Sequence, residues 1–291
     1  MKVDVAINVY GKPAQTAVTL LSLLRHSGQW IDRIWFIEER NQPRSARFDV
    51  LKEALKDRLI VYRPPLRLGW RMLPFRWLYG VGFLRRSLRL QVAWERSRAP
   101  FLLLVHNDMQ FHADLVGAML ERIDGHIAIG PVGQCWNCSA HRAGVCSPDR
   151  FMEYRPTFTE WLRVSTLHPG ARADQYGWIV DPERPWPLPE CRLNEWAALI
   201  DLAKARPVTM PHGSAIPLGA LHGLDIGTAW FRDVLNAGHR VAHFDIAPYA
   251  THAWASATGA GRPANFDRQE YERTENLALA YLRQHFPEYP L

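Results

Sequence analysis

Polar side chains with metal-binding chemistry follow several apolar stretches of this chain. The apolar run at 101–108, FLLLVHND, ends in His106, Asn107 and Asp108. Ligands of open α/β sheets bind outside the carboxyl ends of the strands, so these positions favour a binding site. A carboxylate beside an imidazole suits a divalent ion that holds a diphosphate, because Mg²⁺ and Mn²⁺ share oxygen ligands with phosphate. The alternative is that Asp108 only caps the turn into the next helix. Other predicted strand ends carry Asn8, Tyr10, Glu38, Glu39 and a following His252.

The cysteines form a second cluster. Cys135, Cys138 and Cys146 are spaced C-x2-C-x7-C, and Cys191 follows. In a cytosolic chain such thiols are more often metal ligands than disulfides. Two thiolates of a C-x2-C turn can face one ion, and two more complete a tetrahedron, which predicts a structural Zn²⁺ site. Disulfides, an iron–sulfur cluster and unconnected thiols remain alternatives, and His141 is a substitute ligand.

The elements that must position these residues alternate along the chain. Alternating strands and helices are typical of an α/β fold with a mainly parallel sheet flanked by helices, a Rossmann-like arrangement. The periodicity predicts strands at 3–9, 33–38, 59–63, 101–108, 126–130 and 240–246, and helices at 13–27, 45–56, 83–96, 114–123, 225–237 and 267–285.

The segment 131–212 differs from the rest because it is rich in proline and carries the cysteines. We expect helices near 157–163 and 193–204 and otherwise irregular structure. A loop-rich segment of this length needs a cross-link to stabilise its structure, which favours a zinc ion bound by the cysteines. The sequence therefore predicts a core formed by 1–130 and 213–291, interrupted by a cysteine-containing insertion at 131–212.

Composition narrows the class of protein. The 291 residues are 47% hydrophobic with a net charge of +6, which excludes a disordered, collagen-like or coiled-coil chain. The N-terminal apolar run contains Asp4, unlike a secretory signal, and no apolar run is long enough to span a bilayer. These features predict a cytoplasmic protein, soluble or peripheral to a membrane.

The stretch 66–90 contains six arginines, interleaved aromatic residues and no acid. Three interpretations remain open. The stretch could contact an anionic membrane at its inner face, since arginine meets acidic headgroups and aromatic rings settle at the interface. It could clamp the phosphates of a ligand through Arg85 or Arg86, or it could be a solvated basic loop.

The order of these features resembles GT-A fold glycosyltransferases, close to glycosyltransferase family 2. The similarity includes the VAINVYGKPAQTAVTLLSLL start, the acidic end of the second strand and a D-x-D-like site at HND. It also includes GLDIGTAWFRDVLNAGHRVAHF and the later THAW, and it covers about 1–130 and 213–255. The resemblance implies transfer of a sugar from a nucleotide-diphosphate sugar to a hydroxyl acceptor, in cell-surface glycan or polysaccharide synthesis. The acceptor would be a glycan or a lipid-linked molecule.

The resemblance also implies roles for single residues. Asp108 would bind Mn²⁺ or Mg²⁺, with His252 as a further ligand and His243 as its alternative. Asp225 would be the general base, although Leu224 replaces the acid that usually precedes it. His106 stands where the family has an aspartate. The implied donor-binding residues are Asn8, Tyr10, Glu38, Glu39, His106 and Asn107.

Other residues bear on two alternative functions, nucleotidyl transfer and nucleic-acid binding. A nucleotidyltransferase on a similar sheet would need a glycine-rich basic loop after the first strand, and Gly11-Lys12 is a weak version of one. A zinc-containing nucleic-acid-binding protein would fit the cysteines and the basic charge. However, the net charge is modest and acidic strand ends repel a phosphate backbone, so no nucleic-acid partner is expected.

Overall fold

A central sheet organises the molecule. The computed structural model describes residues 1–43, 46–66, 73, 75–170, 180–220, 225–259 and 267–290. Within these residues seven strands form one sheet in the order β3-β2-β1-β4-β7-β6-β8, and β5 pairs with β9 in a separate ribbon. The strands are β1 (Val3–Val9), β2 (Ile31–Glu38), β3 (Leu59–Tyr62), β4 (Phe101–Val105), β5 (Met109–Phe111), β6 (Ala128–Gly130), β7 (Ala197–Asp201), β8 (Val241–His243) and β9 (Ala250–His252).

The sheet is mostly parallel, which confirms the predicted α/β class. Strands β1 to β4 run parallel to one another, and β6 runs parallel to β8. Strand β7 is antiparallel to both of its neighbours, β4 and β6. A doubly covered sheet of this kind buries both faces of its strands, which explains their nearly continuous apolar sequences.

Strand β7 corrects the sequence analysis at one place. The predicted helix near 193–204 is wrong over 197–201, where AALID is extended, and helix begins only at Leu202. Ala197 to Ile200 are all fully buried between two strands, and an apolar run of this length has no period that separates strand from helix. Residues 131–212 thus supply a central strand, so this segment is not independent of the sheet at its C-terminal end.

The helices are shorter than predicted in several places. The predicted helix 83–96 is two short helices, because Leu90 between them is left-handed with φ of 64°. The helices are α1 (Pro13–Ser27), α2 (Asp49–Ala54), α3 (Gly82–Arg85), α4 (Gln91–Arg96), α5 (Leu115–Leu120), α6 (Ser139–Arg142), α7 (Phe158–Leu167), α8 (Leu202–Val208), α9 (Thr228–Asn236) and α10 (Arg268–His285). Short 3₁₀ turns cover Arg76–Gly80 and Cys135–Asn137.

Apolar clusters cover both faces of the sheet. On one face Val5 of β1 belongs to the same buried cluster as Leu20 of α1. On the other face Leu104 of β4 belongs to a cluster with Trp94 and Trp230, whose rings meet edge to face at 5.5 Å. The carboxyl edge of the sheet is left for polar chemistry, as expected for this class.

Helix α10 completes the fold by capping α1. The carboxylate of Glu275 accepts hydrogen bonds from the backbone N–H groups of Ala14 at 2.8 Å and Gln15 at 3.2 Å. These groups have no partner inside their own helix, so a buried acid there stabilises the start of α1. Among the described residues, no helix is long and apolar enough to cross a membrane.

Candidate active site

The β5–β9 ribbon brings distant residues to the end of β4. His106 and Asp108 follow β4 directly, and the backbone N–H of His106 donates to the carbonyl of Trp196 at 3.1 Å. In the ribbon Met109 is registered with His252. The predicted metal ligands Asp108 and His252 are therefore brought together by strand pairing, although they lie far apart in sequence.

Three side chains converge at this point. Oδ1 of Asp108 lies 3.5 Å from Nε2 of His252 and 3.9 Å from Nδ1 of His106. The two imidazole nitrogens are 3.3 Å apart. Within the described part of the chain, these three residues form the group whose ligand atoms all lie within 4.8 Å of one another. We call them the ligand triad.

Asp108 is buried, and among the described residues only one of its two carboxylate oxygens accepts a hydrogen bond. Its Oδ2 accepts a hydrogen bond from Nζ of Lys12 at 2.9 Å, and both side chains are 6% exposed. Among the described residues its Oδ1 has no hydrogen-bond partner. Burial alone would raise the pKa of Asp108, but the charges of Lys12, His252 and His106 together hold it well below its usual range. An ionised oxygen without a hydrogen-bond donor among the described residues therefore lies close to two ring nitrogens, an arrangement suited to binding a cation.

The triad fits a divalent ion. Burial lowers the pKa of His252 to about 4, so its ring is neutral and able to ligate at physiological pH. Two imidazoles and one carboxylate oxygen favour a transition ion over Mg²⁺, which takes oxygen ligands almost exclusively. The residues that would hold the ion are Asp108, His106 and His252, with Lys12 as the fixed counter-charge on the other carboxylate oxygen.

Lys12 reaches Asp108 because the backbone turns sharply before α1. Gly11 and Lys12 both have left-handed φ values, 61° and 55°. A left-handed residue other than glycine is strained, and such strain is concentrated at functional sites. The turn also directs the carbonyl of Gly11 toward Nδ2 of Asn107, which donates to it at 3.3 Å and to Oγ1 of Thr16 at 3.3 Å. Asn107 therefore ties the end of β4 to the start of α1.

A chain of charged groups connects the triad to the predicted base. Nε2 of His106 lies 3.3 Å from Oε1 of Glu195, and Oε2 of Glu195 accepts from Nη1 of Arg192 at 2.9 Å. Nη2 of Arg192 lies 3.6 Å from Oδ2 of Asp225. Burial acts to raise the pKa of Glu195, but Arg192 and His106 outweigh it and lower that pKa to about 2. Glu195 thus stays ionised and orients His106.

Asp225 lies just before α9. Its Oδ2 accepts from Nε2 of Gln134 at 2.8 Å, and its Oδ1 accepts from the backbone N–H of Ile226 at 2.9 Å. Its side chain is 27% exposed, so it remains accessible to a substrate. The structure therefore places Asp225 near the triad through Arg192 and Glu195, and its catalytic role stays a prediction.

The ends of β1 and β2 form a neighbouring polar group. Nδ2 of Asn8 donates to Oε1 of Glu39 at 3.0 Å, and Arg89 lies 3.6 Å from the same oxygen. Tyr10 is exposed at this edge. Together Asn8, Tyr10 and Glu39 offer hydrogen bonds and an aromatic surface at the same edge of the sheet as the triad, as the nucleoside role would require.

Glu38 faces away from this group. Its oxygens are 2.6 Å from Nζ of Lys52 and 2.6 Å from Nη2 of Arg63. Burial acts to raise the pKa of Glu38, but the hydrogen bonds from Arg63 and Lys52 outweigh it and lower that pKa. Glu38 is thus engaged in a structural ion pair, and its predicted contact with a nucleoside stays untested.

The two arginines predicted as a phosphate clamp have partners within the protein. The buried guanidinium of Arg85 donates to Glu95 at 2.5 Å and to the carbonyls of Tyr79 and Gly80. Arg86 donates to the carbonyl of Gly82 at 3.0 Å. The carbonyl partners of the two guanidinium groups lie within the basic stretch, whereas Glu95 lies in α4. Clamping stays a prediction for both arginines. Part of this stretch, including Arg67 and Arg71, lies outside the described residues.

His243, the alternative to His252, lies outside the triad. Its Nδ1 accepts from the backbone N–H of Val132 at 3.0 Å, and burial lowers its pKa. This hydrogen bond joins the segment that follows β6 to the end of β8.

The four cysteines line one cavity of the loop-rich segment. All four are free thiols. Burial raises the pKa of Cys135 to about 11 and that of Cys138 to about 12. Their sulfur atoms do not form a closed ligand set in the described part of the chain. The predicted zinc site is therefore not shown and stays a prediction.

Sequence reasoning missed Lys12, Arg192 and Glu195 as parts of the site. The sequence indicates only a weak phosphate loop at Gly11-Lys12, whereas in the structure Lys12 pairs with the carboxylate of Asp108. Arg192 and Glu195 lie three residues apart in CRLNEW, where a helix was expected. Their signal is a pair of opposite charges three residues apart, just before the apolar run at 197–200.

Comparison with known proteins finds solved structures that are similar to this chain in overall fold. No protein-family model matches the chain, and no curated protein matches it. Solved glycosyltransferases resemble it in structure. Glucosyl-3-phosphoglycerate synthase from Mycobacterium tuberculosis, with Mn²⁺, UDP and phosphoglyceric acid, is 12% identical; the match covers 97% of this chain and 77% of that one with a TM-score of 0.47.

Two further structures give similar values. The mannosyltransferase PcManGT from Pyrobaculum calidifontis, with GDP-Man and Mn²⁺, is 12% identical over 98% of this chain and 75% of that one, with a TM-score of 0.46. Mouse xyloside xylosyltransferase 1 is 15% identical over 84% of each chain, with a TM-score of 0.44. At this level the likeness concerns the fold, and the side chains of the site carry the functional argument.

Proposed function

We propose that this protein is a glycosyltransferase that moves a sugar from a nucleotide-diphosphate sugar to a hydroxyl acceptor and that depends on a divalent ion, Mn²⁺ in preference to Mg²⁺. One observation carries the proposal. A buried, ionised and unpartnered carboxylate oxygen of Asp108 faces the nitrogens of His106 and His252 at the carboxyl end of a central parallel strand. Ligands of open α/β sheets bind at that position, and a divalent ion there can share its oxygen ligands with a diphosphate.

The chain's own residues hold the donor. Asp108, His106 and His252 would bind the ion, which when bound supplies charge neutralisation for a leaving diphosphate. Lys12 fixes Asp108 through its second oxygen and adds a positive charge beside the same site. The group of Asn8, Glu39 and Tyr10 would receive the nucleoside.

Asp225 would accept the proton of the acceptor hydroxyl. The acceptor oxygen then bonds to the anomeric carbon as the bond to the diphosphate oxygen breaks, which inverts that carbon. Gln134 and Arg192 hold one oxygen of the Asp225 carboxylate, and the backbone N–H of Ile226 holds the other. A base fixed in this way needs no reorganisation when the acceptor arrives.

Trp136 offers a surface for the acceptor. Its ring is 59% exposed and meets Trp196 edge to face at 6.2 Å, and Trp196 lies 4.5 Å from the ring of His252. Exposed indoles beside a site suit the apolar face of a sugar ring. This arrangement supports a glycan acceptor, as expected for synthesis of cell-surface glycans or polysaccharides.

A lipid-linked acceptor and a membrane surface form part of the same proposal. Phe75, Trp77 and Phe83 are at least half exposed beside the arginines of the basic stretch. Exposed aromatic rings among basic residues suit an anionic bilayer. The enzyme would then act in the cytoplasm at the inner face of the membrane.

The test is turnover of a panel of UDP-, GDP-, ADP- and dTDP-sugars with Mn²⁺, with detection of the released nucleoside diphosphate. A parallel assay supplies nucleoside triphosphates and sugar 1-phosphates and detects pyrophosphate. We expect release of the nucleoside diphosphate from at least one donor, and a loss of about 10²–10⁴-fold in Asp225→Asn. His252→Asn should lose metal-dependent turnover, whereas the matched control His243→Asn should keep it.

Other products would contradict the proposal. Pyrophosphate release would indicate a nucleotidyltransferase, for which Lys12 at the Gly11 turn is the supporting observation. Absence of turnover and of nucleotide-induced thermal stabilisation with every donor would refute both functions.

A further inference from the structure

The cavity of the four cysteines has the features of a built site. Three separate segments supply its thiols: the turn that begins at Cys135 and ends at Cys138, the loop at Cys146, and the stretch that ends at Cys191. Cys138 and Cys191 are 4% and 7% exposed. Thiols from three segments share one buried space although no disulfide joins them.

A buried acid provides a second, independent observation. The side chain of Glu190 lines the same cavity, and the residue is 5% exposed. In the part of the chain that the structure describes, its Oε2 has no hydrogen-bond partner. Buried polar oxygens are almost always paired, so an unpaired one aimed into a cavity of thiols indicates a missing partner.

The chemistry of the donors selects the ion. Sulfur ligands favour soft or borderline ions, and four of them in tetrahedral array are typical of structural Zn²⁺. The thiols lie further apart than the ligands of one ion, so binding would draw the sulfurs inward by rotation of their side chains. Zinc binds the thiolate form of cysteine, so binding would release the thiol protons.

We propose that Cys135, Cys138, Cys146 and Cys191 bind one structural Zn²⁺ ion, with Glu190 buried beside it. This site is distinct from the ligand triad and does not depend on the proposed glycosyl transfer. The site is next in sequence to residues of the candidate active site. The residue before Cys135 is Gln134, which contacts Asp225, and the residue after it is Trp136, which contacts Trp196. A bound zinc ion would therefore cross-link the segment that positions both side chains.

The experiment measures zinc in the full-length protein, purified without added metal or an affinity tag and dialysed against chelating resin. Inductively coupled plasma mass spectrometry should find about one zinc per chain. Cys138→Ser and Cys191→Ser should each lose most of it. The matched control is the double variant His106→Asn/His252→Asn, which removes the other metal site and should retain the zinc.

A second measurement on the wild type covers the case in which the cysteine variants fail to fold. Titration with p-hydroxymercuribenzoate should release zinc, detected by a chromogenic chelator, in step with mercaptide formation. Replacement of zinc by Co²⁺ should give thiolate-to-cobalt charge-transfer absorption in the near ultraviolet.

The following results would each overturn the proposal. Zinc that disappears in the histidine double variant would belong to the ligand triad. Iron with visible absorption would indicate a cluster of another kind. Fewer than four titratable thiols in denaturant would indicate disulfides, and four thiols without any bound metal would show that the cavity holds no ion.

Discussion

The buried ion pair of Lys12 and Asp108 gives a prediction in which stability and metal binding change in opposite directions. In Lys12→Met the carboxylate of Asp108 loses the ammonium group that lies 2.9 Å from it, while the shape of the side chain is nearly kept. Both side chains are 6% exposed, so the pair is fully inside the protein. Removing one partner of such a pair costs about 3–5 kcal/mol, because the other charge stays buried.

For a chain of this size that loss corresponds to a fall in Tm of about 5–8 °C in the absence of metal. Mn²⁺ should then stabilise the variant more than the wild type, because the ion becomes the main counter-charge of Asp108. We expect the Kd for Mn²⁺ to fall at least about tenfold, since one positive charge has left the site. Differential scanning calorimetry over a range of Mn²⁺ concentrations measures both effects.

The matched control is Lys52→Met. Lys52 also pairs with a buried carboxylate, that of Glu38 at 2.6 Å, but this acid keeps Arg63 as a second partner. The control should lose less stability and respond to Mn²⁺ like the wild type. If Lys12→Met loses no stability, or if its response to Mn²⁺ equals that of Lys52→Met, the reasoning about Asp108 fails.

Three further predictions concern other parts of the molecule. Because the pKa of Glu38 is lowered in the folded protein, its ion pairs stabilise the fold at pH values above the usual glutamate pKa, and this stability is lost as the pH falls from there through the lowered pKa. Urea denaturation of Glu38→Gln at several pH values should therefore show a weaker loss of stability in acid than the wild type. An equal loss would count against the ion pairs. Glu275→Ala should lower the free energy of unfolding by about 1–2 kcal/mol, measured by urea denaturation, because two backbone N–H groups of α1 lose their acceptor. Glu275→Gln should lower it by less, and equal losses in the two variants would exclude a capping role. The wild-type protein should float with phosphatidylglycerol liposomes, whereas the double variant Trp77→Ala/Phe83→Ala should not. Flotation of both proteins would show that these aromatic rings do not contribute to membrane binding.

The features predicted correctly from sequence are those with a local signal. The run FLLLV is apolar and β-branched at its end, and it is followed at once by polar residues, so both the strand and the position of Asp108 at the sheet edge follow from the sequence. The final helix was expected at 267–285 and is found at Arg268–His285, with Asp267 as its N-cap. Alternation of such elements was enough to predict the mostly parallel sheet.

The features that were missed depend on contacts between distant residues. Strand β7 begins with Ala-Ala-Leu, which favours a helix in isolation, and its position between β4 and β6 overrides that preference. Lys12 meets Asp108 across 96 positions, and His106 meets Glu195 across 89. No local pattern encodes such pairs, because each depends on the order of strands in the finished sheet.

The central claim is that the ligand triad holds a divalent ion for a nucleoside diphosphate. Isothermal titration calorimetry of UDP and GDP into the wild type and Asp108→Asn, with and without Mn²⁺, tests it most directly. The account predicts binding of at least one nucleotide by the wild type only when Mn²⁺ is present, and loss of that binding in Asp108→Asn. Binding of equal strength without Mn²⁺, or unchanged binding by Asp108→Asn, would contradict it.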